Sequence, residues 1–228
     1  MYNPFYQFWT YDQTQFNWLT RVIDKDGDGY GARFQFLEAF CPKCYGLDED
    51  AVFATGWAQT FVRIRPRKER NILKTDDHFL CVRESLLRAF VQAGVRGFEH
   101  KPLPGADWHV LRVTNRRTFD PNVYRTPEAA CKVCNRVAHY GSVRLEREID
   151  LPKEELTFFS TDKPRGQGGY EIFVTDKLRE LLVASGAKGG ELQRLLTEEE
   201  EMLQNENPKW RPKNGVVYLG QHRHTIND

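Results

Sequence analysis

The chain carries one short phrase twice, and each copy contains a Cys-x-x-Cys pair. Residues 38–46 read EAFCPKCYG and residues 128–134 read EAACKVC, so Glu-Ala-x-Cys-x-x-Cys recurs after ninety positions (131 − 41 = 90). A single Cys-x-x-Cys pair is ambiguous, because it serves as a redox pair or as half of a metal site. Two copies with the same preamble indicate an internal duplication, which predicts a fold made of two related halves.

A second pair of segments supports the duplication. HFLCVRESLLRAFVQAGVRGFE at 78–99 and YEIFVTDKLRELLVASGAKGGE at 170–191 align without gaps at a shift of ninety-two (174 − 82 = 92). The matched pairs are Val82 with Val174, Leu86 with Leu178, Phe90 with Leu182, Gly94 with Gly186 and Gly97 with Gly189. Each segment has a short apolar run followed by apolar residues at helical spacing, which predicts a strand and then a helix. In the second copy, we expect Thr175 to be the N-cap and Gly186 to end the helix in a left-handed conformation.

The predicted fold class is α+β, with two pseudo-repeats that share one core. Of the 228 residues 40% are hydrophobic and 13% aromatic, which is typical of a folded globular chain. Residues 1–103 form the first pseudo-repeat, and residues 104–228 form the second together with a C-terminal strand and tail. Each has a Cys-x-x-Cys turn, strands and one amphipathic helix. The segments WHVLRVTN, SVRLERE, LTFFS and GVVYLG, with one or two N-terminal aromatic strands, are expected to build mixed or antiparallel sheets.

The two Cys-x-x-Cys turns predict one structural zinc site that joins the halves. Two such turns complete a tetrahedral thiolate cage when the fold brings them together. The candidate ligands are Cys41, Cys44, Cys131 and Cys134. Four thiolates around Zn²⁺ leave a charge of about −2, which Lys43, Lys132 and Arg136 could offset. A redox pair and bare reduced thiols stay open as alternatives. Cys81 stands apart in an apolar strand and is expected to be an inert core residue.

Three segments carry a resemblance to a known family. They are CPKCYG at 41–46, CKVC at 131–134 and YEIFVTDKLRELLVASGAKGGEL at 170–192. They resemble bacterial immunity proteins with a double CXXCG motif, which protect a cell from the polymorphic toxins that it delivers to neighbours by contact. The resemblance implies that this chain neutralises a cognate toxin by stoichiometric binding, that it is not an enzyme, and that the four cysteines hold zinc.

The chain departs from that family at one position in each turn. The family has glycine directly after each second cysteine, whereas this chain has Tyr45-Gly46 and Asn135-Arg136. Glycine at that position allows a positive φ, which lets backbone N–H groups reach the sulfur atoms. We therefore expect Asn135 to adopt the left-handed conformation and Gly46 to adopt it one residue late.

Composition bears on the remaining classes of function. A net charge of +1 argues against a dedicated nucleic-acid binder. The alternative function is a zinc-ribbon-like nucleic-acid-binding or regulatory module, which requires RIRPRKER at 63–70, Arg116, Arg117 and Arg136 to gather on one face. A thiol oxidoreductase is the third possibility. The sequence offers no catalytic constellation, so no catalytic residue is assigned.

Cysteine usage and hydropathy predict where the chain resides. Five cysteines, an odd number, favour a reducing compartment over a disulfide scaffold. No run approaches the roughly eighteen apolar residues of a membrane span, and the aromatic N-terminus does not resemble a secretory signal. The sequence therefore predicts a cytoplasmic protein without a membrane partner, and the toxin partner is what the family resemblance implies.

Overall fold

A computed structural model describes residues 5–9, 21–22, 33–34, 39–55, 69–75, 79–117, 131–136, 154–162, 169–196, 198–211 and 215–219. These residues form an α+β fold, which confirms the predicted class. Its strands are β1 (Phe5–Trp9), β2 (Arg21–Val22), β3 (Arg33–Phe34), β4 (Ile72–Lys74), β5 (Leu80–Arg83), β6 (Phe98–Pro102), β7 (Trp108–Val113), β8 (Arg116–Arg117), β9 (Phe158–Thr161), β10 (Ile172–Thr175), β11 (Gly190–Arg194) and β12 (Val216–Leu219). Its helices are α1 (Glu49–Thr55), α2 (Glu84–Ala93), α3 (Asp176–Ala184) and α4 (Glu198–Glu206).

Two larger sheets organise these elements. The first has the strand order β12-β11-β1-β10-β9-β8 and is mixed, because β8 runs parallel to β9 while the other neighbours are antiparallel. The second has the order β4-β5-β7-β6 and is antiparallel throughout. A short β2-β3 pair completes the described strands. The predicted strand SVRLERE, residues 142–148, lies outside the described residues.

Each of the two larger sheets contains one copy of the duplicated unit. Each sheet also includes a strand that belongs to the other half of the chain. The series β4-β5-α2-β6 corresponds to β9-β10-α3-β11 in chain order and in pairing. Between β5 and β6 lies β7, which follows them in the chain, whereas β1 lies between β10 and β11. The predicted boundary between residues 103 and 104 therefore does not separate the sheets, since each half contributes one central strand to the sheet of the other half. These two strands, β1 and β7, are called the exchanged strands.

The pairing registers show that β1 and β7 are equivalent strands. On one side of the exchanged strand, Arg83 pairs with Trp108 in one sheet and Thr175 pairs with Phe5 in the other. On its other side, Glu99 pairs with Arg112 and Glu191 pairs with Trp9. On both sides, equivalent residues of the two sheets differ in number by the same amounts. The difference is ninety-two for the flanking strands (175 − 83, 191 − 99) and 103 for the exchanged strands (108 − 5, 112 − 9). One pseudo-twofold relation therefore covers both sheets.

Backbone hydrogen bonds join the two units in the same reciprocal way. The Phe158 N–H donates to the Arg96 carbonyl at 3.1 Å, and the Ile72 N–H donates to the Lys188 carbonyl at 3.2 Å. Phe158 and Ile72 occupy equivalent places in β9 and β4, as Arg96 and Lys188 do after α2 and α3. Each unit is thus anchored to the other by the loop that follows its helix.

Two matched glycines lie at these junctions. Gly97 has φ of 80°, and a Cβ there would lie under 3.0 Å from the Phe158 carbonyl oxygen. Gly189 has φ of 131°, and a Cβ there would lie under 3.0 Å from the Ile72 carbonyl oxygen. Both positions combine a backbone conformation that favours glycine with a close backbone approach from the other unit. The aligned glycines of the sequence therefore mark the contact between the halves.

The duplicated helices differ from the prediction at one end only. Gly94 has φ of 71° directly after α2, and Gly186 has φ of 64° one residue beyond the C-cap Ser185 of α3, so each helix is followed by a left-handed glycine as predicted. Thr175 does precede α3, but its hydroxyl donates to the Glu155 carbonyl and does not cap the helix. Thr175 is thus the N-cap residue as predicted, but its side chain makes no capping hydrogen bond because a neighbouring chain segment competes for that hydroxyl.

A shared core fills the space between the sheets and helices. Its fully buried aromatic side chains include Phe8, Phe90 and Phe158, which come from both halves of the sequence. A second buried cluster lies behind the first cysteine turn and includes Phe53 and Cys81. Cys81 is fully buried, as expected for a core residue. None of the helices formed by the described residues combines the length and apolar character needed to cross a membrane.

Candidate metal centre

The fold brings all four predicted ligands together. The sulfur atoms of Cys41, Cys44, Cys131 and Cys134 all lie within 4.8 Å of one another. Across the two turns, the Cys41 and Cys131 sulfurs are 3.7 Å apart, and the Cys44 and Cys134 sulfurs are 3.5 Å apart. Residues eighty-seven positions apart (131 − 44 = 87) in the chain therefore form one compact cluster.

The spacing of the sulfurs fits a tetrahedral metal ion. Metal–sulfur bonds of about 2.3 Å in tetrahedral geometry require sulfur atoms about 3.8 Å apart. The two measured separations between the turns, 3.7 and 3.5 Å, are close to that value. Four thiols this close cannot all ionise without a cation, since neighbouring like charges oppose each other. The cluster is therefore a site that a metal ion can bind and stabilise.

Both cysteine turns have the same local geometry. Each closes with two backbone hydrogen bonds that start and end at its first cysteine. These bonds run from Cys41 N to Gly46 O (2.9 Å) and from Tyr45 N to Cys41 O (2.9 Å), and from Cys131 N to Arg136 O (2.8 Å) and from Asn135 N to Cys131 O (2.7 Å). The match shows that the sequence duplication extends to the backbone of the site.

Backbone N–H groups also prepare the first cysteine of each turn for metal binding. The N–H groups two and three residues further along donate to its sulfur, which lowers the pKa of Cys41 and lowers the pKa of Cys131 to about 6. Burial raises the pKa of the Cys44 thiol to about 12. Because metals bind thiolates, the first cysteine of the second turn is available as a ligand at neutral pH, whereas Cys44 needs the ion to lose its proton.

The left-handed residue of each turn directly follows the second cysteine. Asn135 has φ of 57°, as predicted, and Tyr45 has φ of 56°. The expectation that Gly46 would take this conformation one residue late was wrong. Gly46 is needed for a different reason, because a Cβ there would overlap the side chain of Arg136. Both turns thus have a positive φ at the residue directly after the second cysteine, with a tyrosine in one turn and an asparagine in the other.

Replacing that tyrosine is expected to stabilise the protein. A left-handed conformation costs a non-glycine residue about 1 kcal/mol or more, and the Tyr45 side chain is 72% exposed, so it recovers little through packing. We expect Tyr45→Gly to raise the free energy of unfolding by about 0.5 to 1 kcal/mol in urea titrations. Asn135→Gly is the matched control and should gain less, because asparagine tolerates this conformation. A lower stability for Tyr45→Gly would contradict the assignment of strain.

Arg136 connects the second turn to the first. Its guanidinium donates to the Leu47 carbonyl, and the residue is 6% exposed. The side chain lies against Gly46, two residues after Cys44. This buried cation in the second turn would offset part of the charge of a metal-bound four-thiolate cluster. Lys43 and Lys132, the other two expected cations, are exposed residues of the same turns.

The alternative functions require other arrangements. A redox Cys-x-x-Cys pair sits at the N-terminus of a helix, whereas Cys41 and Cys44 lie in a turn and α1 begins only at Glu49. For the nucleic-acid alternative, Arg116 is paired with Asp50 at 2.7 Å and Arg136 is buried. Arg117 lies 4.0 Å from Glu154. Most of the RIRPRKER segment, residues 63–68, lies outside the described residues.

A pocket beside the cluster was not foreseen from the sequence. Its lining includes Cys41, Cys134, Arg136 and the acidic residues at the start of α1. In the sequence, the run Asp48-Glu49-Asp50 indicates only the favourable acidic first turn of a helix. Its place beside the cysteines depends on contacts that are distant in sequence.

Comparison with known proteins identified no relative of this chain. No protein-family description, curated protein or solved structure matches the chain. The resemblance to the double-CXXCG immunity proteins therefore stays a prediction that rests on the quoted residues.

Proposed function

We propose that this protein is a cytoplasmic immunity protein that neutralises a cognate bacterial toxin by stoichiometric binding, and that its cysteine cluster holds a structural zinc ion. The observation that carries the proposal is the joining of two equivalent Cys-x-x-Cys turns into one four-sulfur cluster. It supports the proposal because the double motif is the feature by which the sequence resembles the immunity family.

The donor set favours a structural role for the metal. Four cysteine thiolates fill all four positions of a tetrahedral zinc ion, whereas catalytic zinc keeps a position open for water or substrate. Thiolate ligands also suit zinc better than magnesium or calcium, which prefer oxygen. When bound, the ion would supply a cross-link between the two turns, and their backbone N–H groups would orient the sulfurs. The residues thus support a rigid binding protein without turnover.

Co-expression tests this function directly. The candidate toxin is the product of the gene beside this one, and we expect its expression alone to arrest growth. Expression of this protein with it should restore growth, and the purified pair should co-elute in a 1:1 complex. The proposal fails if cells survive the toxin without this protein, or if the purified pair does not associate.

A further inference from the structure

The pocket beside the cysteine cluster is large enough for a ligand and is mainly acidic. Its volume is about 430 Å³, which falls within the range of small-ligand sites. Among the described residues of its lining, the carboxyl and guanidinium side chains are those of Asp48, Glu49, Asp50, Asp162 and Arg136. Four carboxyl groups thus face one guanidinium. This lining favours a cationic occupant over an anionic one.

Glu49 supplies a second and independent indication of a ligand. Its Oε1 is shielded from solvent and accepts no hydrogen bond from any residue that the structure describes. Burial raises the pKa of this carboxyl to about 8. A buried polar atom without a partner is unfavourable, and the Glu49 side chain lines the pocket, so an N–H donor that reaches this carboxyl would gain a bond that the described residues leave unmade.

Gly169 leaves room for this carboxyl group. A Cβ at Gly169 would overlap the Glu49 carboxylate, so only glycine lets the backbone approach it this closely. Tyr170, the next residue, lines the pocket together with Glu49. The Glu49 carboxyl therefore packs directly against the Gly169 backbone.

The protein already binds one guanidinium beside this pocket. Arg116 lies over the Tyr170 ring at 3.7 Å from its centroid and pairs with Asp50 at 2.7 Å. An aromatic face combined with a carboxylate is a favourable environment for such a group. The pocket offers the same kinds of group again, with Phe40 and the carboxyls of Glu49 and Asp162 in its lining.

We propose that this pocket binds the ammonium or guanidinium end of a cationic alkyl group. The cation would lie against the Glu49 carboxylate, with its alkyl stem directed towards the opening of the pocket. If the proposed immunity function is correct, the group is a lysine or arginine side chain of the toxin. The same chemistry could come from a free small molecule, and the experiment distinguishes these sources.

A single water molecule is the competing partner for Glu49. Glu49 and Tyr170 also line a cavity of about 20 Å³, which has room for one water. The charged groups that act on Glu49 are Lys74, Arg136 and Arg116, which favour its ionised form, and Asp50, which opposes it. These three side chains already offset part of the negative charge of Glu49. A cationic ligand must therefore compete with them for this carboxylate.

Calorimetry with agmatine, an alkyl guanidinium, tests the pocket in the metal-loaded full-length protein. We expect agmatine to bind and its neutral analogue N-butylurea not to bind. Glu49→Gln should weaken agmatine binding by about tenfold or more, since a hydrogen bond to a charged group is lost. Glu180→Gln, on the exposed face of α3, is the matched control and should bind as the wild type does. Failure of agmatine to bind, or equal binding by Glu49→Gln, would overturn the proposal.

Proton release gives a readout that packing alone would not change. At pH 7 the Glu49 carboxyl is mainly protonated because its pKa is raised, and a bound cation favours its ionised form. Agmatine binding should therefore release a proton, so its heat should vary with the ionisation enthalpy of the buffer. Glu49→Gln should lose this dependence while keeping its metal and its melting temperature. Binding without proton release would place the cation elsewhere.

The toxin separates this proposal from the immunity function. If wild-type protein binds agmatine but not the toxin, the pocket stands and the immunity function fails. If it binds the toxin and Glu49→Gln binds it equally well, the toxin side chain is not in the pocket. We expect both agmatine competition and Glu49→Gln to weaken toxin binding. A second variant at the pocket, Asp162→Asn, should weaken it in the same direction.

Discussion

Cys131→Ser is expected to lose the metal ion and to melt at a much lower temperature than the wild type. Serine cannot replace a thiolate ligand for zinc, and the remaining three sulfurs would hold the ion weakly. Because metal binding contributes directly to folding, losing ~3 kcal/mol would lower the Tm by about 10 °C in a chain of this size. Elemental analysis should find one zinc per wild-type chain and none in the variant, and differential scanning calorimetry measures the Tm.

The fifth cysteine provides the control for this experiment. Cys81 is fully buried in β5 and lies outside the four-sulfur cluster. Cys81→Ala should therefore keep one metal ion per chain, whatever its effect on packing. Chelation of the wild type should lower its Tm towards that of Cys131→Ser. A Cys131→Ser protein that keeps its metal, or a wild type that is indifferent to chelator, would contradict the metal site.

Alanine at the glycines that join the halves should destabilise the fold strongly. In Gly97→Ala and Gly189→Ala, the new methyl group meets a backbone carbonyl oxygen that cannot move without disturbing β9 or β4. Left-handed strain adds to this overlap. We expect each variant to lose about 3 kcal/mol or more of unfolding free energy, measured by urea titration.

The glycines that end the helices are matched controls. Gly94 and Gly186 also have positive φ, but no atom lies within 4 Å of a Cβ placed there. Gly94→Ala and Gly186→Ala should therefore lose only the conformational cost, about 1 kcal/mol each. If all four variants lose the same amount, close contact between the halves is not what the junction glycines provide.

Local patterns in the sequence predicted the parts of the fold that depend on nearby residues. The strand-helix units were predicted because apolar spacing and terminal glycines report local conformation. The cysteine cluster was predicted because the second Cys-x-x-Cys turn repeats the first. Tyr45 was missed, since the residue preference against a left-handed tyrosine is overridden by the closed geometry of the turn.

The strands β1 and β7 were predicted as strands, but their exchange between the two halves could not be predicted from the sequence. Phe5–Trp9 reads FYQFW and Trp108–Val113 begins WHVLR, so the equivalent strands share no identical residue at the shift of 103. Their equivalence depends on which strands they pair with, and those partners are distant in the chain. The matched glycines were visible in the sequence, but the carbonyl groups that require them belong to the other half. The pocket was missed for the same reason.

The placement of β1 has a consequence for synthesis on the ribosome. β1 is made first, yet its neighbours β10 and β11 are complete only when translation has passed Arg194. The nascent chain must therefore carry an aromatic strand with both edges unpaired until Arg194 has been made, and such edges invite aggregation. Folding of β1 is thus coupled to the synthesis of β10 and β11, and a chain released before that point would present β1 to any open sheet edge nearby.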